Sequence, residues 1–128
     1  MFTLEEIEEI HGRLGSAETL SEYVRSLAAL GVERYDSFVC DGHSEYAGCG
    51  DRRVASGALH AVLCVAQRSD HDAFLGHLKR HERGETSYVE MSKGLAESGI
   101  EKWSVDAHAM TMTFYDRSGN VLLVEQIQ

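Results

Sequence analysis

Two triplets place a carboxylate two residues from an imidazole: Asp41-Gly42-His43 and Asp106-Ala107-His108. A carboxylate beside a histidine can orient or charge the ring, so each pair is a candidate acid–base couple. The same spacing at a strand end is also ordinary turn chemistry, since an aspartate readily accepts from the backbone two residues on. Both triplets are expected to sit in hairpin turns. If those turns share one edge of the fold, Asp41, His43, Asp106 and His108 form a single twin-hairpin site.

The other reactive residues carry weaker patterns. Cys40 and His43 flank the Asp41-Gly42 turn and are expected to oppose one another across strands. With Cys49 and His60 or Cys64 they could bind zinc, but the spacing is not a recognised ligand frame. A buried thiol beside a half-exposed imidazole is the expectation, with no metal and no cofactor. His77 and His81 are i, i+4 and could chelate a metal together, although a solvated helix flank accounts for them. Gly48-Cys49-Gly50 with Arg52-Arg53 could cradle an anion. No helix N-terminus follows it, so a flexible hairpin loop is expected rather than a phosphate-binding loop. There is no serine nucleophile elbow and no dinucleotide fingerprint.

The elements that must position these residues repeat. Laid over one another without a gap, 87–106 (SYVEMSKGLAESGIEKWSVD) matches 19–38 (TLSEYVRSLAALGVERYDSF). Ser87 falls on Thr19, Glu90 on Glu22, Leu95 on Leu27, Gly99 on Gly31 and Trp103 on Tyr35. Thr19 with Glu22, and Ser87 with Glu90, have capping-box spacing. Gly31 and Gly99 suit the left-handed residue after a helix, and the β-branched and aromatic residues that follow suit strands. Start, stop and strand signals at one offset point to internal duplication.

Apolar periodicity predicts helices over 4–13, 19–30, 70–83 and 87–98, and strands over 32–40, 43–47, 58–66, 101–107, 109–115 and 121–127. Thr3 with Glu6 and Ser69 with Asp72 are further predicted caps, and Gly15-Ser16 breaks the first helix. Residues 48–57 are expected to be loop. The order is ααβββ twice, over 1–66 and 67–128, with short turns that make the strands antiparallel. The expected fold is a single two-layer α+β domain: an antiparallel sheet of about six strands with four helices on one face. In the second half, Trp103, Val105, Met110, Met112, Phe114, Leu122 and Val124 are expected to face the helices. The other face, with Lys102, Ser104 and Tyr115, is left wet or free to pair with a second subunit.

Composition narrows the function classes. A chain of 128 residues is one domain by size and large enough to bury a core. A formal charge of −9 argues against nucleic acid and against a membrane surface. No apolar run is long enough to span a bilayer, and the acidic, amphipathic start is unlike a signal peptide. The three cysteines are odd in number and irregularly spaced, which fits reduced, mostly buried thiols in a cytoplasmic protein.

Several runs carry a resemblance. HERGETSY at 81–88, GIEKWSVD at 99–106, MTMTFYDRSGN at 110–120, VEQI at 124–127 and LGVERYDSFVCDGHSEYAG at 30–48 resemble the YbcV-like family of small bacterial proteins of unknown function, often labelled phage envelope protein. The resemblance covers nearly the whole chain. It implies a small α+β cytosolic protein, often of prophage origin, with no established reaction. It adds His81 and Tyr88 to the candidate ligand-binding residues. The family's HxQGxTDY pattern is changed here at Arg83 and Ser87, so a ligand touched there is touched differently.

Two functions follow as expectations. The first is a non-catalytic binding or interaction module, a homodimer with an unknown small-molecule or protein partner. The alternative is a small hydrolase- or isomerase-like enzyme working from Asp41, His43, Asp106 and His108.

Overall fold

The computed structural model of the protein describes residues 2–15 and 17–127. Four helices cover one face of a six-stranded antiparallel sheet, the expected α+β fold. Helix α1 (Leu4–Leu14) begins at the expected capping box, with the Thr3 hydroxyl accepting from Glu6 N–H and the Glu6 carboxylate accepting from Thr3 N–H. It ends before Gly15; Ser16 lies outside the described residues. A short 3-10 turn (Ala17–Thr19) leads into α2 (Leu20–Leu30). The capping box expected at Thr19 is not made: its hydroxyl donates to the Leu14 carbonyl, 2.6 Å away, and helix α2 has no side-chain cap bond. The 3-10 turn has already brought Thr19 back against the end of α1, and that contact replaces the cap.

Strands β1 (Val32–Phe38), β2 (Ser44–Gly48) and β3 (Arg53–Ala55) follow, then α3 (His71–Glu82), α4 (Tyr88–Glu97), β4 (Ile100–Asp106), β5 (Thr111–Asp116) and β6 (Val121–Gln126). The sheet order is β3-β2-β1-β4-β5-β6, so three strands of each half flank the central β1–β4 ladder. That ladder pairs Arg34 with Asp106 and Phe38 with Lys102. Helix α3 is capped by Asp70, which accepts from Ala73 N–H, and not by Ser69 as expected. Helix α4 has the predicted Ser87–Glu90 box.

The expected strand over 58–66 is absent. Its backbone is spent elsewhere: Leu59 and His60 N–H donate to the Asp41 carbonyl, Leu63 N–H to Cys40 and Ala66 N–H to Ala96. The apolar run therefore passes the end of the sheet as an irregular strap, bent at 59–61, with Val62 80 % exposed. Arg53–Ala55, expected to be loop, takes the edge position instead.

One strand is out of its expected phase. In β6 the register shifts between Val121 and Leu123, where Leu122 is the extra residue. Beyond this bulge Leu123 pairs with Phe114 and Glu125 with Met112 on the core face, while Val124 pairs with Thr113 and is 57 % exposed. Val124 thus faces outward and Glu125 inward, opposite to strict alternation. The core itself runs under both helix pairs through Ile7, Val24, Leu27, Phe74, Leu95, Ile100, Val105 and Phe114.

The matched glycines after α2 and α4 differ in their surroundings. Gly31 has φ 106° and Gly99 φ 83°, both left-handed. A Cβ on Gly31 would meet only the Phe2 ring at 3.9 Å, whereas one on Gly99 would lie 2.6 Å from the Arg68 carbonyl oxygen. Gly31→Ala is expected to lose about 1–2 kcal/mol, the cost of the left-handed conformation. Gly99→Ala is expected to lose ~1–3 kcal/mol more, because the backbone at 68–69 must move. Denaturant midpoints measure both, and equal losses would contradict the close approach of the Arg68–Ser69 backbone.

Candidate functional site

The first triplet forms a compact constellation. The turn between β1 and β2 is wider than the expected Asp41-Gly42 pair: Gly42 N–H donates to the Phe38 carbonyl and Phe38 N–H to that of His43. His43 therefore opposes Phe38, not Cys40, and its ring stacks on Phe38 at 4.5 Å, 4° from parallel. The Asp41 carboxylate accepts from His43 N–H at 2.9 Å and from Nδ1 at 2.5 Å; Nε2 is 3.4 Å from Glu45. Burial disfavours charge on His43, but hydrogen bonds to the Asp41 and Glu45 carboxylates outweigh it and raise its pKa. The backbone hydrogen bond from His43 leads the effects that lower that of Asp41.

The second triplet is different. Asp106 accepts from the backbone N–H of His108 and Ala109, each at 2.9 Å, which is turn capping; both Asp106 and His108 are exposed. Because β1 and β4 are antiparallel, the turn after β1 lies beside Lys102 and the turn after β4 lies beside Arg34. The two triplets occupy opposite ends of the sheet, so the expected shared edge does not exist.

The remaining patterns disperse. Cys49 and Cys64 are exposed and only Cys40 is half-buried, so the thiols are not mostly buried. Among the described residues no three His, Cys, Asp or Glu side chains converge to hold a metal. Arg52 is committed to the Phe2 carbonyl, 2.6 Å from Nη2, and lies over the Phe2 ring, so it is not part of an anion cradle. His77 is not on a solvated flank: its ring fills the space where a Gly94 Cβ would be, 2.5 Å away.

His81 and Tyr88 meet at a cavity of about 170 Å³ between the helix layer and the sheet. Its floor is the core face of β1, β2, β4 and β5; its walls come from both helix pairs. Tyr23, Tyr35, Tyr46, Tyr88, Trp103 and Phe114 supply the aromatic lining. Four of the lining hydroxyls are paired. Tyr23 and Tyr46 hydroxyls are 3.1 Å apart, and Ser37 and Ser44 hydroxyls 2.7 Å apart across β1 and β2. His81 Nδ1 donates to the Thr86 carbonyl at 3.1 Å. Burial pushes the phenols of Tyr23, Tyr35 and Tyr46 up, and that of Tyr88 to about 12, so all four remain neutral hydroxyls near neutral pH. The lining meets solvent at His11, Gly15, Leu59 and Glu82, which are exposed.

Sequence reasoning reached this cavity only through His81 and Tyr88. A visible signal was available in the first hairpin: Tyr35, Ser37, Ser44 and Tyr46 put hydroxyls at the core-facing phase of two strands. Buried strand positions carrying hydroxyls in pairs mark a polar pocket in the core.

The Asp41–His43 pair is testable by titration. Protonated His43 is favoured by folding, so its contribution to stability is present below the ordinary histidine value of about 6.5 and is lost as pH rises through the elevated folded value. NMR titration of the wild type should place His43 above that ordinary value, and Asp41→Asn should lower it. An unchanged titration in Asp41→Asn would rule out the carboxylate as a cause.

No helix among the described residues is long and apolar enough to cross a membrane. None of the curated proteins matches the chain. A family model described as "protein of unknown function (DUF1398)" matches residues 8–126. With nearly its whole length matched, the chain belongs to the DUF1398 family of proteins of unknown function.

Proposed function

We propose that the protein is a non-catalytic binding module that encloses a small molecule between its helix layer and its sheet. The observation that carries this is the cavity of about 170 Å³, lined by aromatic rings with a few paired hydroxyls. Ligand sites are typically concave, largely apolar and supplied with a small number of fixed polar groups. An apolar cavity of about 150 Å³ is enough to take benzene, so a single-ring compound is the right scale. The enzymatic alternative loses its support, since Asp41 and His43 stand a sheet length from Asp106 and His108.

The matched helix stops, and bulges at equivalent points of β1 and β4, support descent of the two ααβββ halves from one unit. The cavity then lies where the copies meet. The narrower YbcV-like resemblance, with its prophage setting, agrees with a small accessory module, and free cysteines agree with a reducing cytoplasm.

The sole tryptophan, Trp103, lines the cavity and reports on it. Phenol is expected to change Trp103 fluorescence and to raise the melting temperature, with stabilisation of about 2.7 kcal/mol at a hundredfold excess over Kd. Met112→Trp, which fills the space, is expected to abolish binding measured by calorimetry. The absence of both a fluorescence change and a melting shift at millimolar phenol would defeat the proposal.

A second surface supports dimerisation. Phe38, Tyr115 and the exposed Val124 lie on the sheet face opposite the helices. A homodimer through this face needs roughly 800 Å² per partner. Sedimentation equilibrium should return twice the mass of one chain, and Val124→Glu should weaken the association. A monomer at high micromolar concentration would remove the dimer.

A further inference from the structure

We infer that the cavity takes a compact organic cation: a primary amine or alkylammonium carried on an aromatic or alkyl body. The inference rests on the cavity being a binding site and adds the class of its occupant. Charge is the first observation. Of the lining groups only Glu82 and Glu125 are carboxylates, and no lysine or arginine lines the cavity. Neither carboxylate is in an ion pair or hydrogen bond among the described residues. His81 is held by Thr86 through Nδ1, and His11 packs edge-on against Tyr23 with ring centroids 5.7 Å apart.

Glu125 is the more telling of the two. It is half-buried and reaches the cavity because of the bulge at Leu122, which sets Glu125 beside Met112 on the core face. Without the bulge the inward residues would be Leu122, Val124 and Gln126; with it they are Leu123, Glu125 and Ile127. Leu122 itself also packs against the core, so the bulged phase buries Leu122, Leu123 and Ile127 where the regular one would bury Leu122 and Val124, and it brings in a carboxylate in place of an amide. Burial, and then the charge of Glu82, raise the pKa of Glu125. An unpaired, partly desolvated carboxylate is unfavourable until a cation meets it.

The walls are the second observation. The faces of Tyr23, Tyr35, Tyr46, Tyr88 and Trp103 carry negative quadrupole density, which attracts a cation. The tyrosine hydroxyls are neutral and can accept from an ammonium N–H. An anionic ligand meets like charge at Glu82 and Glu125 and finds no fixed positive group on the lining.

Three probes on one phenylethyl body test this with the full chain: 2-phenylethylamine, 2-phenylethanol and 3-phenylpropionate, read by Trp103 fluorescence and calorimetry. The amine is expected to bind about tenfold or more tightly than the alcohol, and the carboxylate most weakly. Glu125→Gln is expected to erase the amine's advantage while leaving the alcohol unchanged; the ranking on the wild type stands without it should the variant fold poorly. Equal binding of amine and alcohol, or tighter binding of the carboxylate, overturns the cation assignment and leaves the cavity as a binding site. Silence from all three probes removes the binding site itself, and the cation with it.

Discussion

The ladder between β1 and β4 joins what would otherwise be two small three-stranded sheets. It places Tyr35 beside Val105 and Ser37 beside Trp103 on the core face. On the outer face Asp36 accepts from the Ser104 hydroxyl at 2.5 Å and from Lys102 at 3.3 Å. Lys102 in turn lies over the Phe38 and Tyr115 rings, at 5.7 and 5.4 Å. Three strands alone bury little apolar surface on one face; six give a floor broad enough for two helix pairs.

Two helix pairs on one floor leave a seam between them, and the cavity occupies it. Large aliphatic side chains would close such a seam. The floor here instead carries Tyr35, Ser37, Ser44 and Tyr46, and buried hydroxyls must find partners. Three of these four do so, Ser37 with Ser44 and Tyr46 with Tyr23 of α2. Each pair is satisfied locally, so the space between them stays open without a large penalty from unmet hydrogen bonds. The rigidity of the floor and the openness of the seam have the same origin in these four positions.

Helix ends and strand types were legible because their signals are local. Thr3-Glu6 and Ser87-Glu90 cap as their spacing requires, and Gly31 and Gly99 take the left-handed conformation a helix stop needs. The failures are tertiary. Residues 58–66 have strand composition, but the sheet edge is already occupied by Arg53–Ala55, and carbonyls of Cys40 and Asp41 capture the backbone of the apolar run. Thr19 is diverted by the end of α1. The site was less legible still. Pairs such as Asp41–His43 announce themselves in sequence, whereas a cavity is assembled from residues scattered over nine elements, each unremarkable alone. Only the hydroxyls in the core-facing phase of β1 and β2 carried a hint.

The separation of the two Asp-x-His turns follows from topology alone. In an antiparallel ladder the end of one strand lies against the start of the other, so hairpins that follow β1 and β4 must leave from opposite ends. Any site shared by the two halves has to lie on the sheet face near the ladder, where equivalent positions approach one another. Tyr35, Ser37, Trp103 and Val105 are those positions, and three of the four line the cavity. The bulge in β6 breaks the equivalence, because the corresponding pairing of β2 with β3 runs from Glu45–Ala55 to Ala47–Arg53 without a shift. A departure that delivers a carboxylate to one side of an otherwise aromatic seam gives the cavity a polarity that two equivalent halves could not, and an asymmetric ligand needs such a distinction between its ends.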